Sequence, residues 1–140
     1  MLMWKKDQNQ ADWHMIREEV FVKEQGFQNE FDDIDDVATH ICVYEDGKAL
    51  GCVRFYVEDG KMRIGRLAVL KSARNKHLGA YLLKLAEQEI KKTNYREVYL
   101  DAQCRASGFY EKQGYVICGE QHLDEHVPHV LMKKSFLSNR

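Results

Sequence analysis

A single proline, Pro128, occurs in 140 residues, which excludes a proline-rich linker or stalk. No CxxC pair occurs among the four cysteines, Cys42, Cys52, Cys104 and Cys118, so no zinc ribbon or dithiol redox motif is written here. Cys42 and Cys52 fall inside strand-like apolar runs, where a thiol packs as a small hydrophobe. No window approaches the roughly 20 apolar residues of a membrane span. The N-terminal charges follow a very short apolar run, the reverse of a signal peptide. The expectation is a reduced, cytoplasmic protein without a membrane partner. Excess charge is missing too: a formal net charge of −1 and a pI near 6.6 argue against a nucleic-acid partner. With 44% hydrophobic and 31% charged residues, the chain has the makeup of one globular domain over 1–140.

Periodicity then places the elements. LMWKK near the start suits a short strand, and Trp13, Ile16, Val20 and Phe21 recur at helical spacing after Asp12. The acidic, irregular NEFDDIDDVA follows. Three strand candidates come next, THICVYE, ALGCVRFYV and MRIGRLAVL, separated by two Asp-Gly pairs that signal hairpins. A long helix over about residues 77–93 carries Leu78, Leu82, Leu85, Ala86 and Ile90 along one face. EVYLDA reads as a strand, SGFYEKQ as a short helix stopped at Gly114, and YVICGE and HVLMKK as two final strands. The order β-α-β-β-β-α-β-α-β-β implies a parallel crossover around the long helix. The fold class is α/β (α+β).

The stretch KSARNKHLGAYLLKL, residues 71–85, joins four basic residues to the start of that helix. The first amides of a helix lack partners and sit at the positive end of its dipole, which makes an anion site. Arg74 and Lys76, with Lys71 and His77 beside them, add mobile positive charge. A phosphate-bearing ligand is the first expectation, against the alternative of a solvated basic loop.

With strand, basic loop and helix in order, the sequence resembles the GNAT superfamily of acetyl-coenzyme A-dependent N-acetyltransferases over nearly its whole length. Members carry an Arg/Gln-x-x-Gly-x-Gly/Ala loop, here Arg74-Asn75-Lys76-His77-Leu78-Gly79 after GRLAV. His77 replaces the first glycine, and either turns outward or adds a donor to phosphate. FYEKQGY, residues 109–115, matches a second family element, and Gln103 stands where many members have Asn. REEVFVKEQG and DEHVPHVLMKK are similar to a subgroup of small bacterial members. The resemblance implies a mixed sheet of about seven strands with about four helices, splayed between strands 4 and 5. It implies acetyl-CoA as cosubstrate and no metal. Residues 74–80, including Ala80, would hold the pyrophosphate; Leu67, Ala68 and Val69 would offer free backbone groups to the acetyl and pantetheine arm; Gln103 would add a hydrogen bond.

Acetyl transfer also moves protons, off the amine and onto the leaving sulfur. By its motif position Tyr110 is the expected general acid, because a tyrosine stays protonated at neutral pH; Tyr81 and Tyr115 are expected to be structural. Glu24, His40 and His129 are the candidates for a base, directly or through water. Arg66, in an otherwise apolar strand, either holds a carboxylate or phosphate in the acceptor pocket or pairs with an acidic residue. The run Glu30, Asp32, Asp33, Asp35, Asp36 reads as a solvated loop, or as a lure for a cationic amine at the acceptor mouth. It fails the calcium-loop pattern. His122, His126 and His129 raise a metal reading, but Pro128 argues against the helix that His-x₃-His would need. The expected activity is acetylation of a small-molecule primary amine in a ternary complex. The rivals are a non-catalytic acyl-CoA sensor and a protein acceptor. Many members form dimers, and a homodimer is compatible with the resemblance.

Overall fold

The computed structural model describes residues 1–8 and 10–136. Seven strands, β1 (Leu2–Lys6), β2 (Thr39–Glu45), β3 (Lys48–Glu58), β4 (Lys61–Val69), β5 (Glu97–Gln103), β6 (Val116–Asp124) and β7 (Val127–Ser135), form one sheet in the order β1-β2-β3-β4-β5-β7-β6. Three α-helices accompany it among the described residues: α1 (Gln10–Arg17), α2 (Leu78–Lys91) and α3 (Ser107–Lys112). The expected helix count of about four is therefore high by one. The nearest thing to a fourth is a π-helical stretch, Glu18–Glu24, that continues α1.

Both Asp-Gly pairs turn as two-residue hairpin loops. Asp46 and Gly47, and likewise Asp59 and Gly60, have positive φ, the geometry whose twist matches that of the flanking strands. Glu45 then faces Lys48, and Glu58 faces Lys61. Strand β2 is buried along nearly its whole length because both faces of the sheet are covered. Ile41 and Val43 join the core under α2, with Leu82, Ala86 and Ile90. Cys42 and Tyr44 join the core under α1, with Trp13, Ile16, Val20 and Phe21. The period of two in the strand thus meets the 3.6 period of each helix. Gly51 permits the close approach of α2, since a Cβ there would stand 2.8 Å from Leu82 Cδ1.

Strands β4 and β5 run parallel around α2, as the crossover requires, but pair only at Arg63↔Tyr99 and Ile64↔Leu100. Beyond Ile64 they diverge. Strand β4 also slips its register with β3 between Cys52 and Arg54, and Arg66 in that bulge has a φ of 51°. A β-bulge bends the strand and re-aims its side chains.

The acidic run is not the solvated loop that its composition suggests. Glu30 is buried, Asp32 and Asp35 are partly so, and only Asp33 and Asp36 are exposed. Arg17 donates to Glu30 and Asp35, Arg54 donates to Asp32 and Asp35, and Arg66 meets Glu30 and Asp32. Burial pushes the Glu30 carboxyl up. Burial acts the same way on Asp35, but the bonds from Arg17 and Arg54 outweigh it and hold that carboxyl below the usual range. Arg17 also lies against the rings of Trp13 and Phe31. Truncating one partner of a buried pair leaves the other charge uncompensated. Arg17→Ala is therefore expected to cost about 3–5 kcal/mol in urea unfolding, while Lys23→Ala, in an exposed pair with Glu19, should cost less than about 1 kcal/mol. Similar losses for the two would contradict a buried cluster.

Candidate active site

The divergence of β4 from β5 opens a cavity of about 460 Å³. One wall is β4 itself, from Ile64 through Gly65, Arg66, Leu67 and Ala68 to Val69. Past Ile64 the β5 side of this strand has no ladder partner, so its backbone groups are open to a ligand. Tyr110 of α3, Gln103 at the end of β5, His129 of β7, Glu24 at the end of the π-helical stretch and Gln25 after it also line the cavity.

Tyr110 is half-buried against Phe109 and Tyr115. Burial pushes its hydroxyl up to about 12, so it stays protonated at neutral pH. The one sealed side-chain nitrogen or oxygen without a hydrogen bond, among the described residues, is Arg54 Nε. The Tyr110 hydroxyl has no partner either but is not sealed, and Tyr110 is among the residues that line the cavity. Tyr115 differs: it is buried and donates to Glu87 Oε2 at 2.7 Å, which gives it a structural role.

The basic loop has an unusual backbone. Asn75 and His77 both have positive φ, and His77 is the N-cap of α2 at φ 60°, ψ 24°. A left-handed residue is what the glycine of the loop pattern supplies without a Cβ penalty; His77 adopts the same conformation at a cost. Its side chain makes no cap bond, and the first intrahelical bond is Tyr81 N to His77 O, 3.1 Å. The amides of Leu78, Gly79 and Ala80 therefore remain without intrahelical partners at the start of the helix. A Cβ at Gly79 would meet Phe109 only at 3.6 Å, an ordinary contact. Of residues 74–80, Arg74 alone lines the cavity. The Arg74 guanidinium grips Glu24 with Nη1 and Nη2, at 2.5 and 2.7 Å. This pair holds the Glu24 carboxyl below its usual range, so Glu24 is an ion-pair partner and a poor base. Lys76 reaches toward Glu45 at 3.6 Å.

The three base candidates separate clearly. His40 is buried on the far side of the acidic loop, stacked on Trp13 at 4.1 Å and bonded to the Asp35 carbonyl at 3.0 Å. It does not line the cavity, and burial lowers its pKa; this corrects its placement at the acceptor. His129 does line it. Arg66 lines it too, but its Nε and Nη2 are engaged by Glu30 and Asp32.

Gln25 and Glu125 line the cavity but carry no signal in the sequence. Glu125, at the β6–β7 turn, accepts from the amides of Gln28 and Asn29 at 2.8 and 2.9 Å. His126 Nε2 lies 2.7 Å from the Gln25 carbonyl oxygen, and Gln103 donates to the Gln25 side chain at 2.7 Å. The hairpin tip is thereby strapped to the loop that follows the π-helical stretch, closing one side of the cavity. The three histidines of this segment are divided among separate partners: His122 pairs with Asp101, His126 with Gln25, and His129 with Val127.

Residues 6–136 match the acetyltransferase (GNAT) domain. The chain belongs to the GNAT family of acetyltransferases. It is 35% identical over 133 residues to YjcF of Bacillus subtilis, described as an uncharacterized N-acetyltransferase, covering 93% of this chain and 95% of that one. An acyl-CoA N-acyltransferase from Pseudomonas aeruginosa superposes with a TM-score of 0.87 at 28% identity, over 96% of this chain and all of the other. An aminoglycoside 6′-N-acetyltransferase complexed with coenzyme A shares the fold at a TM-score of 0.77 and 14% identity, over 100% of this chain and 99% of the other. As a GNAT enzyme this chain departs from the loop pattern only in conformational cost at His77, and that cost is measurable. His77→Gly should leave stability within about 1 kcal/mol, whereas the β-branched His77→Val should lose about 1–3 kcal/mol. Equal losses in urea unfolding would contradict a left-handed cap.

Proposed function

We propose that this enzyme transfers the acetyl group of acetyl-CoA to the primary amine of a small molecule, such as an amino acid, a polyamine or an amino sugar, by direct attack in a ternary complex. The observation that carries the reading is a single cavity holding both the unpaired stretch of β4 and the unpartnered Tyr110 hydroxyl. Acetyl-CoA supplies the activated thioester. The uncapped start of α2 suits its pyrophosphate, because the amides of Leu78, Gly79 and Ala80 have no other partner there. Arg74 adds charge at the same end, provided it exchanges Glu24 for phosphate. Open backbone groups at Leu67, Ala68 and Val69 suit the thioester carbonyl and its arm. Tyr110, kept protonated by burial, can donate to the sulfur as negative charge grows there.

A small acceptor is favoured by the size of the space. About 460 Å³ lies within the usual range for small-ligand sites, and the strap from Glu125 to Gln28 and Asn29 bounds it. The test is release of CoA thiol from acetyl-CoA across a panel of amines, against a blank without amine. Tyr110→Phe should lower kcat by about 100-fold while acetyl-CoA affinity, measured by calorimetry, is unchanged. Full turnover in that variant would remove Tyr110 from the reaction. Binding without release for every amine would favour a sensor or a protein acceptor.

A further inference from the structure

The base for this reaction can be sought by asking which titratable group in the cavity is uncommitted. Glu24 is gripped by Arg74, and Glu30 by Arg17 and Arg66. Glu125 is spent on two backbone amides, and Asp101 on His122. Asp124 is exposed at the end of β6. His129 is different. It sits on β7 opposite Gln103 and is only 6% exposed, with the Phe27 ring edge-on at 6.3 Å and the His122 ring at 6.2 Å. Its Nδ1 lies 2.9 Å from the Val127 carbonyl oxygen. A carbonyl oxygen only accepts, so Nδ1 carries the hydrogen, and in the neutral ring Nε2 carries the lone pair. That Nε2 has no hydrogen-bond partner and is not sealed from solvent, and the ring lines the cavity.

We propose that His129 Nε2 is the general base that deprotonates the acceptor amine, with the Val127 carbonyl holding the ring in the tautomer this requires. The inference rests on the acetyl-transfer reading above. The acceptor ammonium gives one proton to Nε2, which later passes it to solvent. The freed lone pair forms the N–C bond at the thioester carbonyl, and the C–S bond breaks with its electrons on sulfur. Tyr110 protonates that sulfur, and the proton shed by the nitrogen as it becomes an amide restores the tyrosine.

The test compares two acceptors with wild type and His129→Gln. One is an alkyl amine, protonated at pH 7; the other is a hydrazide, already neutral there. The variant should lose about 100-fold in kcat/KM on the alkyl amine and little on the hydrazide, with acetyl-CoA affinity retained. Equal losses on both acceptors, or none on either, would overturn the assignment. Nitrogen-15 NMR of the wild-type imidazole gives a readout independent of turnover and of the variant's folding: an Nδ1–H tautomer is expected, and an Nε2–H tautomer would overturn the proposal. Wild-type protein that binds acetyl-CoA yet acetylates neither amine would refute the transfer reading itself, and the base with it, a failure distinct from one confined to the variant.

Discussion

The cluster of Arg17, Arg54 and Arg66 with Glu30, Asp32 and Asp35 is the constraint on which the rest of this site depends. It ties four separate pieces of chain together: α1, the loop before β2, strand β3 and the bulge of β4. Buried ion pairs add little net stability, because desolvation offsets the Coulomb attraction. What they add here is geometry. Glu30 takes Arg66 by its side chain and by its carbonyl, and that grip accompanies a positive φ at Arg66 that a non-glycine residue adopts only at a cost.

From that anchored bulge the active site follows. A bulged β4 bends away from β5 after Ile64, and the divergence leaves backbone groups open where a sheet would otherwise consume them. The same divergence makes room for Tyr110 from α3 on one side and His129 from β7 on the other. One donor and one acceptor then face a common space, each unpartnered. The proposed binding, polarising and proton-transfer groups thus gather around a single interruption in strand pairing.

Closure of the cavity is a separate matter, handled by the β6–β7 turn. Glu125 reaches back 97 residues to cap the Gln28 amide, and His126 bonds the Gln25 carbonyl. The strap fixes the Gln25–Asn29 side of the cavity, and Gln103 at the end of β5 is bonded into it through Gln25.

Local rules account for what could be read without coordinates. The Asp-Gly turns, the apolar stripe of α2 and the alternation in β2 each depend on neighbours within a few residues, so the succession of elements, the hairpins and the parallel crossover were legible, and the motifs at residues 74–79 and 109–115 carried the family. Charge and histidine roles were not legible, because burial is a property of the whole fold. The acidic run looks solvated in one dimension, and only packing brings three arginines from three distant positions against it. His40 and His129 are equivalent as strand histidines in the sequence. The tertiary structure puts one under Trp13 and the other at the cavity, and the Val127 carbonyl decides which of its nitrogens is free. The sequence by itself determined the elements and their family, since those follow from periodicity and turn chemistry. The fold alone decided which charges are committed and which groups remain available to react, since that depends on contacts between residues far apart in the chain.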